Sequence, residues 1–163
     1  MSEAAAAPLE GGCLCGRIRY RATPDKREGY YCHCRMCQLA FGNTQVPFLN
    51  LRQDQVQWLT EPPKFYASST FARRGFCPDC GTPLSFAYVD SRNMDLSVGS
   101  LDDPAAIRPV SHFAVESKVE GWSCDDGLPG TRLDEHVKLM ERWKGAYGDD
   151  VEPGVQAVRQ ERG

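Results

Sequence analysis

The sequence predicts a mainly β fold of short strands, closed by one short C-terminal helix and tied together by cysteines. Three observations carry this. From residue 44 to 100, apolar and polar residues alternate in short runs separated by turn residues, the pattern of half-buried strands. Cysteines fall into three groups, Cys13/Cys15, Cys32/Cys34/Cys37 and Cys77/Cys80, whose spacings suit shared metal ions. Helical periodicity is convincing only near the end, where Leu133, His136, Val137, Met140, Trp143 and Lys144 share one face.

Taken in order, residues 1–10 are Ala-rich and expected to be a disordered terminus. Arg17 to Ala22 alternates polar and apolar residues and reads as a strand with Arg17, Arg19 and Arg21 on its outer face. That face is either a solvated strand surface or a guanidinium row for a carboxylate-bearing substrate. Tyr30 to Cys34 reads as a strand that places Cys32 and Cys34 on one side and His33 on the other. Cys34 to Cys37 folds into a knuckle or first helical turn that continues to Phe41, with Gly42 as its C-terminal stop. Strands follow at 44–51, 55–59, 64–68, 71–76, 83–89 and 94–98, with further ones within 110–116 and 119–122. Turn chemistry at Glu61-Pro62-Pro63, Asp79-Cys80-Gly81 and Asp90 to Asn93 divides them. Thr131 with Asp134 offers a capping signal for the final helix. No linker splits the chain, so residues 11–147 form a single domain, followed by a charged, frayed tail at 148–163.

Composition narrows the function classes. A length of 163 residues with 41% hydrophobic and 25% charged residues suits one globular domain with a real core. The net charge of −3 argues against nucleic acid or an anionic membrane surface as partner. No apolar run approaches the roughly 20 residues that span a bilayer. MSEAAAAPLEGG lacks the basic and apolar regions of a secretory signal, so a reducing, cytoplasmic setting is expected. There, eight cysteines read as metal binding or catalysis rather than as disulfides.

The Cys77-Pro78-Asp79-Cys80-Gly81 knuckle aims two sulfurs at one metal, and Gly81 permits the tight backbone turn. Cys13 and Cys15 supply two more, which completes a closed, structural, four-sulfur zinc site. Cys32, Cys34 and Cys37 form a second site with three ligands. Its fourth position is either closed, by Cys124, His33 or His112, or open to water or substrate. Three thiolates leave a zinc site net anionic, which lowers the pKa of bound water little but still binds a soft thiolate. Thiol chemistry rather than hydrolysis is therefore expected at an open site.

The segments Gly12-Cys13-Leu14-Cys15-Gly16, Cys32-His33-Cys34-Arg35-Met36-Cys37 and Arg74 to Leu84 around Cys77/Cys80 resemble the glutathione-dependent formaldehyde-activating enzyme family, which includes centromere protein V. Gly99 to Pro104 and His112 to Pro129 look like its second half, so the resemblance covers roughly residues 11 to 130. It implies small twisted sheets in a β-tent-like arrangement around two zinc ions. The structural ion maps to Cys13, Cys15, Cys77 and Cys80, and the catalytic, more labile ion to Cys32, Cys34 and Cys37. The implied activity is that of a carbon–sulfur lyase, S-(hydroxymethyl)glutathione synthase, joining glutathione and formaldehyde. Arg35, Arg73, Arg74 and Lys118 are the cations available for the carboxylates of such a thiol. The alternative is a non-catalytic binding module with two structural zinc ions.

Overall fold

The computed structural model describes residues 7–123 and 125–153. Its strands are β1 (Leu9–Gly12), β2 (Arg19–Ala22), β3 (Glu28–Cys32), β4 (Val46–Arg52), β5 (Val56–Trp58), β6 (Lys64–Ser69), β7 (Ala72–Phe76), β8 (Pro83–Tyr88), β9 (Asn93–Ser97), β10 (Arg108–Phe113) and β11 (Gly130–Thr131). Two α-helices join them, α1 (Arg35–Phe41) and α2 (Val137–Tyr147). The fold is mainly β, as expected. One sheet has three strands in the order β1-β2-β5, and the other has eight in the order β11-β10-β3-β4-β9-β8-β7-β6. In the larger sheet β10 runs parallel to β3 and β11, while the remaining pairs are antiparallel.

Side-chain alternation assigns the two faces of the larger sheet different tasks. Leu49, Leu51, Met94 and Leu96 face the small sheet and pack with Ile18, Tyr20 and Ala22 in the main core, which Leu84 joins from the irregular end of β8. The Tyr20 hydroxyl, buried there, meets the Ser100 hydroxyl at 2.7 Å. Intervening residues point the other way: Tyr30 and Cys32 on β3, Phe48 and Asn50 on β4, Asp95 on β9, Phe86 on β8 and Arg74 on β7 line one cavity. Cross-strand register places Asn50 opposite Asp95, Asp95 opposite Phe86, and Phe86 opposite Arg74, a row across four strands.

Several boundaries differ from expectation, each for a local reason. Leu9 and Glu10 belong to β1 rather than to a disordered terminus, because Leu9 is buried in the core and Glu10 pairs with Arg21; residues 1–6 lie outside the described residues. Helix α2 begins at Val137, not near Leu133. The His136 ring caps it by accepting from the Leu139 N–H at 3.1 Å, and Thr131 belongs to β11. Residues 119–122 form a turn, not a strand. Beyond Gly148, the Val151 carbonyl accepts from Trp143 Nε1 at 3.1 Å, so the tail folds back onto α2; residues 154–163 lie outside the described residues. Helix α1 ends as expected, at Gly42 with φ 61°.

The Arg17/Arg19/Arg21 face is not an open cation row. Arg17 pairs with Glu61 and Asp79, Arg19 with Asp102, and Arg21 with Glu10. These exposed pairs hold the guanidinium groups to the protein's own acids and contribute little stability. No helix among the described residues is long and apolar enough to cross a membrane.

Candidate metal centre

Two cysteine clusters form. Cys13, Cys15, Cys77 and Cys80 bring their sulfurs within 4.8 Å of one another, and so do Cys32, Cys34 and Cys37. Each cluster could hold a metal ion. Four sulfurs around one zinc at about 2.3 Å would lie about 3.8 Å apart. The Cys13–Cys15 and Cys15–Cys77 separations, 3.5 and 3.8 Å, fit that spacing.

Backbone geometry builds the four-sulfur cluster. After β1 the chain turns so that the Ile18 N–H donates to Cys13 Sγ at 3.2 Å. After β7 the Gly81 N–H donates to the Cys77 carbonyl at 2.9 Å, and Gly81 takes φ 75°, the conformation that the knuckle requires. Thr82 ties the two loops together. Its hydroxyl accepts from the Leu14 N–H and approaches Cys80 Sγ, both at 3.1 Å. That contact heads the causes that hold the Cys80 thiol down at about 5.

The triplet lies at the junction of β3 and α1. Cys32 ends the strand, Cys34 caps the helix by accepting from the Cys37 N–H at 3.4 Å, and Cys37 sits in the first turn. Gln38, buried beneath, donates through Nε2 to the carbonyls of His33 at 2.8 Å and Ser117 at 3.0 Å. Arg74, itself buried, directs Nη1 and Nη2 to Cys37 Sγ, each at 3.5 Å. Hydrogen bonds from Cys32 and Cys34, with the Arg74 charge behind them, hold the Cys37 thiol well below its usual range.

Neither histidine joins the three sulfurs. His33 points away from them, fully buried, with Nε2 2.8 Å from His112 Nδ1. His112 Nε2 lies 2.9 Å from Asp126 Oδ1, so both of its ring nitrogens are engaged. The carboxylate accepts from Nε2–H, which leaves Nδ1 to accept from His33 Nε2–H. Burial lowers the pKa of His33 to about 4 and keeps it neutral at pH 7. Cys124 lies outside the described residues.

Among the described residues the triplet therefore offers three sulfurs to a metal and faces a cavity of about 520 Å³. That volume is typical of small-molecule pockets. Phe48, Phe71, Phe86 and Phe113 give apolar walls, and α2 adds Lys138, Leu139 and Arg142. Of the four cations expected to meet substrate, only Arg74 lines the cavity, and it is turned to sulfur. Arg73 lies on the opposite face of β7, over the Phe65 ring at 4.5 Å. Arg35 donates to Gln38 Oε1 at 3.2 Å, and Lys118 is exposed outside the cavity.

Sequence inspection missed Asp95, Asn50, Tyr30, Lys138 and Arg142 in the cavity wall. Tyr30 was findable, since it stands two residues before Cys32 on one strand face. Asp95 also left a signal: an acid between Met94 and Leu96 must point to the face opposite the core. Burial pushes its carboxyl up to about 7. Nothing in the sequence alone brings α2 over β8, where Arg142 pairs with Asp90 and stacks 4.1 Å over Tyr88.

Comparison with known proteins agrees with the cysteine pattern. Residues 8–117 match the model of the family described as glutathione-dependent formaldehyde-activating enzyme. An uncharacterized lyase of Schizosaccharomyces pombe is 36% identical over 91 residues, 52% of this chain and 61% of that protein. A crystal structure of a Rhodobacter sphaeroides protein covers 75% of this chain and 99% of its own at 17% identity, with a TM-score of 0.47. With the family match extending over most of the chain and spanning every cysteine of both clusters, the protein belongs to the glutathione-dependent formaldehyde-activating enzyme family.

Proposed function

We propose that the protein is a zinc-dependent carbon–sulfur lyase that joins a glutathione-like thiol to a small aldehyde, as in S-(hydroxymethyl)glutathione synthesis, and cleaves the adduct in reverse. One observation carries the reading. The three-sulfur cluster opens on a cavity, whereas the four-sulfur cluster completes its own ligand set. Zinc bound at the triplet would supply a soft cationic position for a substrate thiolate. The protein's own residues do the rest. Arg74 offsets negative charge on Cys37, and the phenylalanine walls limit water around the reacting carbon. The His33–His112–Asp126 chain holds the Cys32–Cys34 segment from behind. A reducing compartment such as the cytoplasm keeps both clusters as thiolates.

The test is zinc content per chain during chelator titration, with and without glutathione, alongside equilibrium exchange spectroscopy of the glutathione–formaldehyde adduct. Two zinc ions, one labile and altered by glutathione, together with accelerated exchange, are expected. Two equally resistant ions indifferent to glutathione, with exchange at the uncatalysed rate, would instead identify a structural binding module.

A further inference from the structure

Asp95 is the one carboxyl among the described residues that lines the cavity of the triplet. It is 7% exposed and sits in the polar row of the sheet, opposite Asn50 and Phe86. Asn50 Nδ2 donates to Asp95 Oδ1 at 2.9 Å, and the Tyr30 hydroxyl also hydrogen-bonds the carboxyl. Among the described residues no arginine or lysine pairs with it, since Arg74 is turned to Cys37. An acid so placed costs stability, and pairing by two neutral donors does not remove that cost. The main core does not need it, because Met94 and Leu96 fill the other face of β9.

We propose that Asp95 is the proton carrier of the reaction, taking the proton of the incoming thiol and returning it to the oxygen of the aldehyde. This rests on the thiol–aldehyde reading above. In the forward direction the S–H bond breaks and the proton passes to the Asp95 carboxylate. The sulfur lone pair forms the C–S bond while the C=O π pair moves onto oxygen. The carboxyl then gives the same proton to that oxygen and is again a carboxylate. One thiol and one aldehyde become one hydroxymethyl thioether, with no other reactant. Cleavage runs the same steps backwards.

The surroundings suit the task. Burial raises the carboxyl to about 7, against the hydrogen bonds from Asn50 and Tyr30. The charged and titratable groups facing it are Cys37 on α1, Tyr30 on β3, Arg74 on β7 and Tyr88 on β8. A group that titrates near the working pH both accepts and donates efficiently.

Asp95→Asn keeps the side-chain volume and an oxygen for both donors, so it tests the proton rather than the fold. Exchange of the glutathione–formaldehyde adduct is expected to fall by about 10²–10⁴-fold in D95N, with partial recovery in D95E. The inflection of kcat near neutral pH should vanish. Binding of glutathione alone, followed by calorimetry in buffers of different ionisation enthalpy, gives a readout independent of turnover. Near pH 7 the bound thiolate raises the proton affinity of the neighbouring carboxyl, so wild-type protein should release fewer protons to buffer on binding glutathione than D95N does. Wild-type exchange that persists unchanged in D95N, with the same proton release, overturns the role of Asp95 alone. Wild-type protein that neither binds glutathione nor accelerates exchange overturns the reading beneath it, and the role of Asp95 with it.

Discussion

Single residues around the triplet act through what they leave satisfied. His112 accepts from His33 and donates to Asp126, and its ring stacks on Tyr31 with centroids 5.2 Å apart. His112→Phe keeps the ring and the stack but strands the His33 donor in a fully buried site, at a cost of about 1–3 kcal/mol. Because His33 stands between Cys32 and Cys34, the expected result is faster chelator removal of metal from the triplet, with the four-sulfur cluster unaffected. Equal lability at both clusters would refute it. Asp95 makes a pH-dependent contribution of known sign. Its folded pKa is about 7 against an ordinary 3.8, so the folded chain holds an extra proton between those values. Stability attributable to Asp95 is therefore greatest at the acid end of that window and declines as pH rises through it. The full difference is at most roughly 4 kcal/mol. Denaturant unfolding of wild type and D95N should show D95N gaining relative stability from pH 4 to pH 7, then no further change. A flat difference would count against the raised pKa.

Secondary-structure elements show what local sequence can and cannot encode. Helix α1 was legible because Cys34 and Gly42 mark its two ends within the segment itself. Strands β8 and β9 were legible because Leu84, Phe86 and Tyr88, and Met94 and Leu96, recur at every second position and turn residues bound them. Strand β11 was not: two residues, Gly130 and Thr131, are strand only because β10 lies beside them. The start of α2 depended on a histidine ring acting as a cap, a role that composition does not announce. The cysteine clusters were readable from spacing, but the cavity required knowing which strands are neighbours. Helix α2 falls outside the family match at residues 8–117 yet walls the cavity. Trp143, 3% exposed, anchors it against Met36, Phe71, Tyr147 and Val151. Trp143→Ala removes that anchor, and a loss of about 3–5 kcal/mol is expected for the helix's attachment. Hydrogen exchange should rise in residues 137–147 while β4 and β9 stay protected. Uniform loss of protection across the sheet would show that α2 is integral to the core instead.

The two clusters tie together unequal lengths of chain. The four-sulfur cluster joins residues 13–15, at the edge of the small sheet, to residues 77–80, at the end of β7 in the large sheet. It closes a long chain loop at the boundary between the sheets, beside Ile18, Leu84 and Cys77 in the main core. Structural zinc in small peptides supplies about 10–16 kcal/mol, as much as the whole stability of an ordinary domain, about 5–15 kcal/mol. With zinc held at this cluster, loss of one of its four cysteines would exceed what the rest of the fold can absorb. The triplet, by contrast, lies within one short stretch of β3 and α1, so a metal held there would close almost no chain. Cys77→Ser is expected to unfold the protein or leave it insoluble. Cys37→Ser is expected to keep the fold, the core of Leu49 and Leu96, and one metal ion per chain. Thermal unfolding with metal analysis of both variants decides the matter. A folded C77S protein would show that the sheets cohere without the cluster, because Leu84, Leu96 and Ile18 alone would then hold them together.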